Sequence, residues 1–369
     1  MTRIGAGRTT LDGVAAKAGV SKATASKVLN GRGGVSSATR ERVFAAMKEL
    51  GYAPSTGRTI GGAPSMVTVV FDAAETIYAA RILSGAVALG MEMDVDVVVT
   101  SPASRSPHQP LTAEWLGRIA DKGHLGIIVV TAEVTPEVAR AAAKAGLGLV
   151  AVDPVSPSDA DDGLVSVSAT NWTGGYQATA HLLDLGHRRI GFAGGPPESQ
   201  PARHRYHGHL AALEAADIEA RPELLLRRGF DRDDGRQMAQ DLLDLKQPPT
   251  GIVAGCDASA LGVIAVARER NLRLPEDLSV VGFDDTYAAD LASPPLTTIR
   301  QPLWEMGRLA IRTVLSLASG EVRETHHLEL ATTLVVRKST APPPSATTPN
   351  GALQPPHGTA KRRPVNRAR

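Results

Sequence analysis

Cysteine and long apolar runs are what this chain of 369 residues most clearly lacks. Cys256 is its single cysteine, which excludes a disulfide framework and fits the reducing environment of the cytoplasm. No apolar run approaches the roughly 18 residues of a membrane-spanning helix, and the amino-terminal MTRIGAGRTT has no apolar signal core. We therefore expect a soluble, cytoplasmic protein with no membrane partner.

Motifs of catalysis are also missing. The sequence contains neither a glycine-rich GKS phosphate loop nor a G-x-S-x-G nucleophile elbow. Three histidines, His204, His207 and His209, are spaced i, i+3 and i+5, which points them in different directions on a helix. Nothing fixes two carboxylates across a scissile bond, as a glycosidase requires. We predict a protein that is not an enzyme and holds no metal and no cofactor.

Acidic residues are absent from positions 20–40, and charge is unevenly distributed along the chain. Residues 1–65 hold ten basic and three acidic residues, and residues 340–369 hold five basic and no acidic ones, while the whole chain has a net charge of +2. The middle of the chain is therefore acidic. A basic head on an acidic body is typical of a nucleic-acid reader with a separate regulatory domain, although a basic head can also serve solubility alone.

Residues 10–50 have the apolar spacing of three short helices. The residues expected in their shared core are Leu11, Val14, Ala15, Ala18, Ala25, Val28, Leu29, Val43, Ala46, Met47 and Leu50. Gly19 allows a tight turn after the first helix, Ser21 can cap the second, and a third opens at Ser36. Two helices joined in this way can place the second in the DNA major groove.

The outward face of the second helix carries small and basic side chains. These are Lys22, Ala23, Ser26 and Lys27. Lysines on such a face can contact phosphates and guanine edges. The pattern therefore indicates DNA binding, and a solvated basic face on an ordinary three-helix unit is the alternative.

From Met66 onward, apolar strands alternate with helices. The predicted strands are 66–72, 95–99, 126–130, 147–153, 164–168, 189–195, 252–257 and 279–285. Predicted helices include 136–145, 173–185, 205–216, 234–245 and 258–271. Strands that are apolar throughout agree with parallel sheets covered on both faces. Because so many units exceed one sheet, we predict two Rossmann-like lobes.

Four acids stand at the ends of predicted strands. They are Asp72, Asp153, Asp257 and Asp284. Ligands of open α/β sheets bind outside the carboxyl ends of the strands, so four carboxylates there predict a cleft for a ligand rich in hydrogen-bond donors. A sugar fits because carboxylates accept from hydroxyls and discriminate against analogues that lack them. For each acid, capping of the following helix is the alternative.

The first fifty residues resemble the DNA-binding headpiece of the lactose-repressor (LacI) family, whose pattern runs through L-x-x-V-A-x-x-A-G-V-S-x-x-T-x-S-x-V-L-N-G. The matching residues are Leu11, Val14, Ala15, 18–21, Thr24, Ser26, 28–31, Val35, Ser36, Thr39 and Arg40. Gly13, Ala25 and Lys27 depart from the family's usual Asp, Val and Arg. The stretches 186–196, 274–285 and 293–307 are similar to the effector domain of the same family, and the likeness covers residues 10–340.

The resemblance implies a fold and a domain organisation. Residues 1–51 are expected to form an all-α, three-helix helix-turn-helix headpiece, and 52–65 a hinge. Residues 66–340 are expected to form an α/β body of two Rossmann-like lobes, periplasmic-binding-protein-like type I. The proline-rich, basic remainder at 341–369 is predicted to be a disordered tail. No leucine heptad is present, which favours a homodimer.

The resemblance also implies site residues. DNA contacts are expected from Thr10, Ser21, Lys22, Ala23, Thr24, Ser26, Lys27 and Asn30, with Arg58 and Ile60 in the hinge. Effector contacts are expected from Asp153, Asn171, Arg203, Phe230, Asp257, Asp284 and Gln301, together with Asp72 at its strand end and Tyr78 as a stacking aromatic. Ile60 would be a minor-groove wedge if the hinge becomes a helix, but Gly57 disfavours that helix and a plain tether is the alternative.

These features together predict a transcriptional repressor whose affinity for operator DNA changes when a small sugar binds between the lobes. The stretch ATNWTGG at 169–175 is similar to a subgroup associated with xylose or xylo-oligosaccharides. Two alternatives stay open, a transport-type sugar-binding protein and a regulator that responds to a nucleobase corepressor.

Overall fold

The computed structural model describes residues 11–29, 35–50, 65–100, 111–155, 164–321 and 325–344. The amino-terminal part consists of helices α1 (Leu11–Ala18), α2 (Lys22–Leu29) and α3 (Ser37–Leu50). Their buried residues are Val14, Ala15, Ala18, Ala25, Val28, Val43 and Ala46, with Leu11, Met47 and Leu50 packed against them. The three-helix prediction is confirmed, and the side chain of Leu29 lies outside the described residues.

The first lobe of the body is built on a six-stranded parallel sheet. Its strands are β1 (Ser65–Phe71), β2 (Val95–Thr100), β3 (His124–Val130), β4 (Gly148–Val152), β5 (Val165–Ala169) and β11 (His327–Leu330), in the order β11-β5-β4-β3-β1-β2. Its helices are α4 (Ile77–Glu92), α5 (Ala113–Asp121), α6 (Pro136–Lys144) and α12 (Leu303–Ala318). Separate apolar clusters lie on the two faces of this sheet, which is why its strands are apolar throughout.

The second lobe is also built on a six-stranded sheet. Its strands are β6 (Ile190–Gly194), β7 (Leu225–Arg227), β8 (Gly251–Ala254), β9 (Ser279–Asp284), β10 (Thr297–Arg300) and β12 (Thr333–Val335), in the order β12-β10-β9-β8-β6-β7. Its helices are α7 (Asn171–Asp184), α8 (Gln200–Ala215), α9 (Arg232–Leu243), α10 (Asp257–Glu269) and α11 (Tyr287–Leu291). All neighbours are parallel except β12, which runs antiparallel to β10. The prediction of two Rossmann-like lobes is confirmed.

The chain crosses between the lobes at the ends of three strands. It passes from β5 to α7, from β10 to α12, and from β11 to β12. Two crossings lie side by side, because Thr170 N donates to Leu330 O at 2.9 Å and Thr332 N donates to Thr170 Oγ1 at 2.9 Å. These hydrogen-bonded crossings connect the two lobes.

Helices α7 and α8 approach each other closely through glycine. A Cβ at Gly175 would lie 2.2 Å from Arg205 O, and one at Gly208 would lie 2.1 Å from Trp172 O. Such contacts allow only glycine, because the neighbouring atom is backbone and cannot move aside cheaply. The close approach fixes the position of Arg205 beside the start of α7.

All eight predicted strands are present, but four short ones, β7, β10, β11 and β12, were missed because each has only three or four residues. Ala341, placed by the sequence at the start of the tail, is hydrogen-bonded through its backbone to Ser279 Oγ at 3.1 Å. The predicted hinge, apart from Ser65, and the tail beyond Pro344 lie outside the described residues. Within the described part of the chain, no helix is both long and apolar enough to cross a membrane.

Candidate functional sites

The turn between α1 and α2 sets the direction of the second helix. Gly19 has φ +64°, which a glycine adopts at no steric cost, and Val20 N donates to Ala15 O at 3.0 Å. Ser21 then caps α2, since its Oγ accepts from Thr24 N at 3.1 Å. The buried Ala25 and Val28 hold one face of α2 against the core, so the opposite face is presented outward.

The outward face of α2 carries the predicted DNA-contacting residues that the structure describes. Lys22, Ala23 and Lys27 are exposed, and Thr24 and Ser26 are half-buried. Lys22 Nζ lies 2.9 Å from Asp12 Oδ2 of α1, an exposed ion pair of the kind that contributes little to stability and that a phosphate can replace. Four predicted contacts, Thr10, Asn30, Arg58 and Ile60, lie outside the described residues.

In the body, polar side chains converge between the lobes, beginning with Asp153 just beyond β4. This carboxylate is 2% exposed and accepts a hydrogen bond from the Tyr78 hydroxyl of α4. Its backbone has φ +46°, an uncommon conformation for a residue other than glycine and one that clusters at functional sites. Asp153 Oδ1 is buried and has no hydrogen bond of standard geometry within the described residues, although Ser168 and Asn171 lie close enough to influence its carboxyl.

A buried arginine from the second lobe faces this carboxylate. Arg205, in α8, is 4% exposed; its Nε donates to Asn171 Oδ1 at 2.8 Å and its Nη1 donates to Gly255 O at 2.6 Å. Its guanidinium carbon lies 3.8 Å from the centre of the Phe283 ring and 5.7 Å from that of Phe230. Stacking and fixed hydrogen bonds hold the guanidinium charge in place.

Asp284 completes the charged group from the end of β9. It is 7% exposed, has φ +112°, and its Oδ1 lies 3.9 Å from Arg205 Nη1. Gln301, at the crossing into α12, donates from Nε2 to the same oxygen at 2.6 Å. Gln301 Oε1 is a second buried acceptor that no donor reaches among the described residues. The site thus joins Asp153 and Tyr78 of one lobe to Arg205 and Asp284 of the other.

Asp257 was expected to contact the effector, but the protein already satisfies its carboxylate. Oδ2 accepts from Thr286 N at 2.7 Å and from Thr286 Oγ1 at 2.9 Å, and Oδ1 accepts from Thr298 Oγ1 at 2.7 Å. These bonds tie the first turn of α10 to β10 and to the segment after β9. An effector contact by Asp257 stays a prediction, while the hydrogen bonds described for its carboxylate are all internal to the second lobe.

Two further predicted effector contacts, Asp72 and Arg203, are not buried in the structure. Asp72, beyond the end of β1, is exposed, so it does not belong to the buried group of acids. Arg203 is half-buried, and the arginine that reaches the carboxylates is Arg205, which the sequence interpretation missed. A signal for Arg205 was present, since Ala202, Arg205 and His209 follow the i, i+3, i+7 spacing of a buried helix face.

Phe230 and Cys256 form part of the surroundings of the site. The half-buried Phe230 ring lies against Gly195, where a Cβ would be 2.3 Å from the ring. Cys256 Sγ donates to Phe230 O at 2.9 Å and caps α10 by accepting from Ser259 N at 3.4 Å. Burial raises the pKa of this thiol to about 12, so Cys256 has a packing role and no thiolate chemistry.

Burial is the main cause of the raised pKa values of the acidic groups in the site. It raises the pKa of Asp284 to about 8, and the nearby Arg205 charge opposes that shift. Burial also raises the pKa of Asp153, against the Tyr78 hydrogen bond, and raises the pKa of the Tyr78 hydroxyl, with the Asp153 charge acting in the same direction. A single guanidinium faces two buried carboxyls, so a bound molecule that donates hydrogen bonds would stabilise their ionised forms.

The chain combines an exposed basic helix with a two-lobed body that holds a buried polar group between its lobes. This combination is typical of one class of protein, the DNA-binding transcriptional regulators with a periplasmic-binding-protein-like domain. Family models agree with this class. Residues 10–55 match the bacterial regulatory proteins of the lacI family, and residues 179–340 match the periplasmic binding protein-like domain.

Whole-chain likeness is equally clear. The chain is 34% identical to the HTH-type transcriptional regulator CelR of Thermobifida fusca, over 90% of this chain and 98% of CelR. It is 32% identical to the HTH-type transcriptional repressor PurR of Pectobacterium carotovorum, over 91% of this chain and 98% of PurR. The chain belongs to the LacI family. Because these relatives are transcriptional regulators, the enzyme and transport-protein alternatives are set aside.

Two solved structures have the same architecture. One is a complex of the transcriptional regulator CelR with cellobiose, with a TM-score of 0.67 at 33% identity, covering 90% of this chain and 100% of that chain. The other is the lac repressor dimer bound to operator and the anti-inducer ONPF, with a TM-score of 0.64 at 28% identity, covering 90% and 99%. The likeness therefore includes both the headpiece and the body.

Stability should fall with rising pH because of Asp284. The folded protein keeps this carboxyl protonated up to about pH 8, whereas the unfolded chain releases the proton near pH 4. The contribution of Asp284 to the free energy of unfolding is therefore complete below about pH 4 and declines up to about pH 8. We expect Asp284→Asn to flatten the decline in the free energy of unfolding, measured by urea unfolding between about pH 5 and pH 8. The exposed Asp121→Asn, at the end of α5, serves as control. Parallel profiles for Asp284→Asn and the wild type would contradict the assignment.

Proposed function

We propose that the protein is a homodimeric repressor whose affinity for operator DNA changes when a small sugar binds between the lobes. Two buried acceptors between the lobes support this proposal, because within the described residues neither Asp153 Oδ1 nor Gln301 Oε1 has a hydrogen bond of standard geometry. A buried acceptor without a donor is costly, and the hydroxyl groups of a sugar would satisfy both.

The position of the cleft between the lobes would couple ligand binding to the relative orientation of the lobes. Tyr78 and Asp153 belong to the first lobe and Arg205 and Asp284 to the second, so a ligand that contacts all four binds one relative orientation of the lobes more tightly than others. The headpiece precedes the first lobe, and a change in lobe orientation alters how two headpieces are presented across a dimer. Coupling of this kind is typically worth about 1–3 kcal/mol.

Exposed apolar residues support the homodimer. Val87 and Met91 on α4 and Val98 and Val99 on the edge strand β2 form one set, and Tyr287 and Leu291 on α11 form another. An edge strand with apolar side chains invites pairing with another chain, and a symmetric dimer would cover it. The repressor role has support from the relatives PurR and CytR, both named as repressors.

A sugar is favoured over other ligands by the chemistry of the cleft and by the cellobiose complex of CelR. Carboxylates and amides accept from and donate to hydroxyls, and the flat Tyr78 side chain can lie against a sugar ring. Xylose and xylo-oligosaccharides remain candidates from the sequence, and a nucleobase is the alternative ligand.

DNA reading should depend on Lys27 and Thr24 in different ways. Lys27→Ala should relax base preference, at a cost of roughly 1–3 kcal/mol on the preferred operator, whereas Thr24→Ala should weaken all DNA about equally by loss of a phosphate contact. Fluorescence anisotropy on an operator selected from random DNA, and on scrambled DNA, measures both effects. Lys17→Ala is the control, because Lys17 is an exposed lysine paired with Glu49 away from α2. Equal losses on both DNAs for Lys27→Ala would overturn its assignment.

Sugar binding should depend on Asp153. Calorimetry with glucose, xylose, cellobiose and xylobiose should identify a ligand, and Asp153→Asn should weaken it on the order of tenfold or more, because an amide replaces a carboxylate acceptor. Asp72→Asn is the matched control, since Asp72 also follows a strand of the first lobe but is exposed. If none of these sugars binds while a nucleobase does, the nucleobase alternative replaces the sugar.

A further inference from the structure

A cavity lies beside the buried charged group, between the edge of the first sheet and the start of α8. It has a volume of about 210 Å³, and polar side chains line it together with the apolar Pro201 and Leu328. Its lining includes Ser166, Ser168, Asn171, His204, His327 and Glu329. A cavity of this size is smaller than the roughly 300–1,000 Å³ of a drug-sized site and suits a fragment such as one sugar ring.

The sheet face that lines the cavity differs from the rest of the same face. Ser166 and Ser168 of β5 stand opposite His327 and Glu329 of β11 in the parallel register, so all four share one face. Further into the sheet, that face is apolar and covered by helices of the first lobe, as at Ala151. At β5 and β11 it is polar, and α8 of the other lobe stands against it. Ser166 Oγ and His327 Nδ1 lie 2.8 Å apart and bond each other, so Ser168 and Glu329 are the sheet side chains that can turn to a ligand.

The cavity adjoins the cleft and spans both lobes. Asn171 lines the cavity while its Oδ1 accepts from Arg205 Nε in the cleft at 2.8 Å. The two lobes meet above it, where Gln200 N donates to Val155 O at 2.9 Å. Any molecule seated there contacts β5 and β11 on one side and α8 on the other, so it would strengthen the preference for one lobe orientation.

We propose that this cavity is a second sugar subsite, next to the one formed by Asp153, Arg205 and Asp284, and that the effector is therefore a disaccharide or a longer oligosaccharide. The inference rests on the proposed function and deepens it by naming the class of sugar. One ring occupies the cleft, and the next ring, linked past Asn171, occupies the cavity.

The lining supplies both donors and acceptors for sugar hydroxyls. Glu329 is an exposed carboxylate and accepts from a hydroxyl pair. His204 is half-buried, and burial lowers its pKa against the charges of Glu329 and Asp153, so at neutral pH its ring offers one donor and one acceptor. Ser168 and the amide of Gln200 each both donate and accept.

A chain-length series tests the subsite on the full-length protein. Calorimetry compares glucose with cellobiose and xylose with xylobiose, on the wild type, on Glu329→Gln and on His204→Ala. For one of the two sugar pairs, we expect the wild type to bind the disaccharide on the order of tenfold more tightly than its monosaccharide, which is about 1.4 kcal/mol. Both variants should lose most of that advantage while monosaccharide affinity stays unchanged. Glu276→Gln, an exposed glutamate outside the cavity, should behave as wild type.

The outcomes separate the two proposals. The subsite proposal is wrong if the wild type binds monosaccharide and disaccharide equally tightly, or if both variants keep the full advantage of the disaccharide. In either case the proposal of a sugar-responsive regulator is unaffected. If no sugar of either length binds, both proposals fail together. Thermal melting of each variant without sugar separates loss of binding from loss of folding. Because Glu329 is exposed on an edge strand, its substitution should leave the melting temperature unchanged.

Discussion

Two buried carboxyls lie near one buried guanidinium between the lobes. The architecture of the site depends on this arrangement. Asp153 comes from the first lobe, while Asp284 and Arg205 come from the second, and none of the three is more than 7% exposed. Such a group is costly to bury unless each charge is paired and hydrogen-bonded. The protein pairs it only in part, and a donor-rich ligand can complete the pairing. In the function we propose, ligand binding and lobe orientation form one equilibrium.

The surrounding architecture holds these side chains where they are. Left-handed backbone at Asp153 and Asp284 turns each carboxyl into the space between the lobes. Glycine contacts between α7 and α8 bring Arg205 up to Asn171, and Asp257 fastens the start of α10 to the neighbouring strand. The hydrogen-bonded crossings at Thr170 and Thr332 leave the lobes connected but able to reorient. Rigid lobes on narrow crossings transmit a local contact over a long distance.

Much of the fold was predictable because its signals are local. Apolar runs predicted the long strands, and the spacing around Gly19 and Ser21 predicted the three helices. The cleft was only partly predictable, because its membership is decided by distant partners. Asp257 and Asp284 both end apolar stretches, and only the positions of Thr286 and Thr298 show which carboxylate is internally satisfied. Arg203 and Arg205 are two positions apart on a helix, about 200° around its axis, so an error of two residues selects the opposite face.

Linkage between the cleft and the headpiece can be measured in both directions. The affinity of the full-length protein for its selected operator is measured by fluorescence anisotropy with and without saturating sugar, and the affinity for the sugar is measured by calorimetry with and without operator. We expect operator affinity to change about 5- to 150-fold and sugar affinity to change by the same factor, because coupling free energy is reciprocal. Operator affinity that stays constant while the sugar demonstrably occupies the cleft would contradict it.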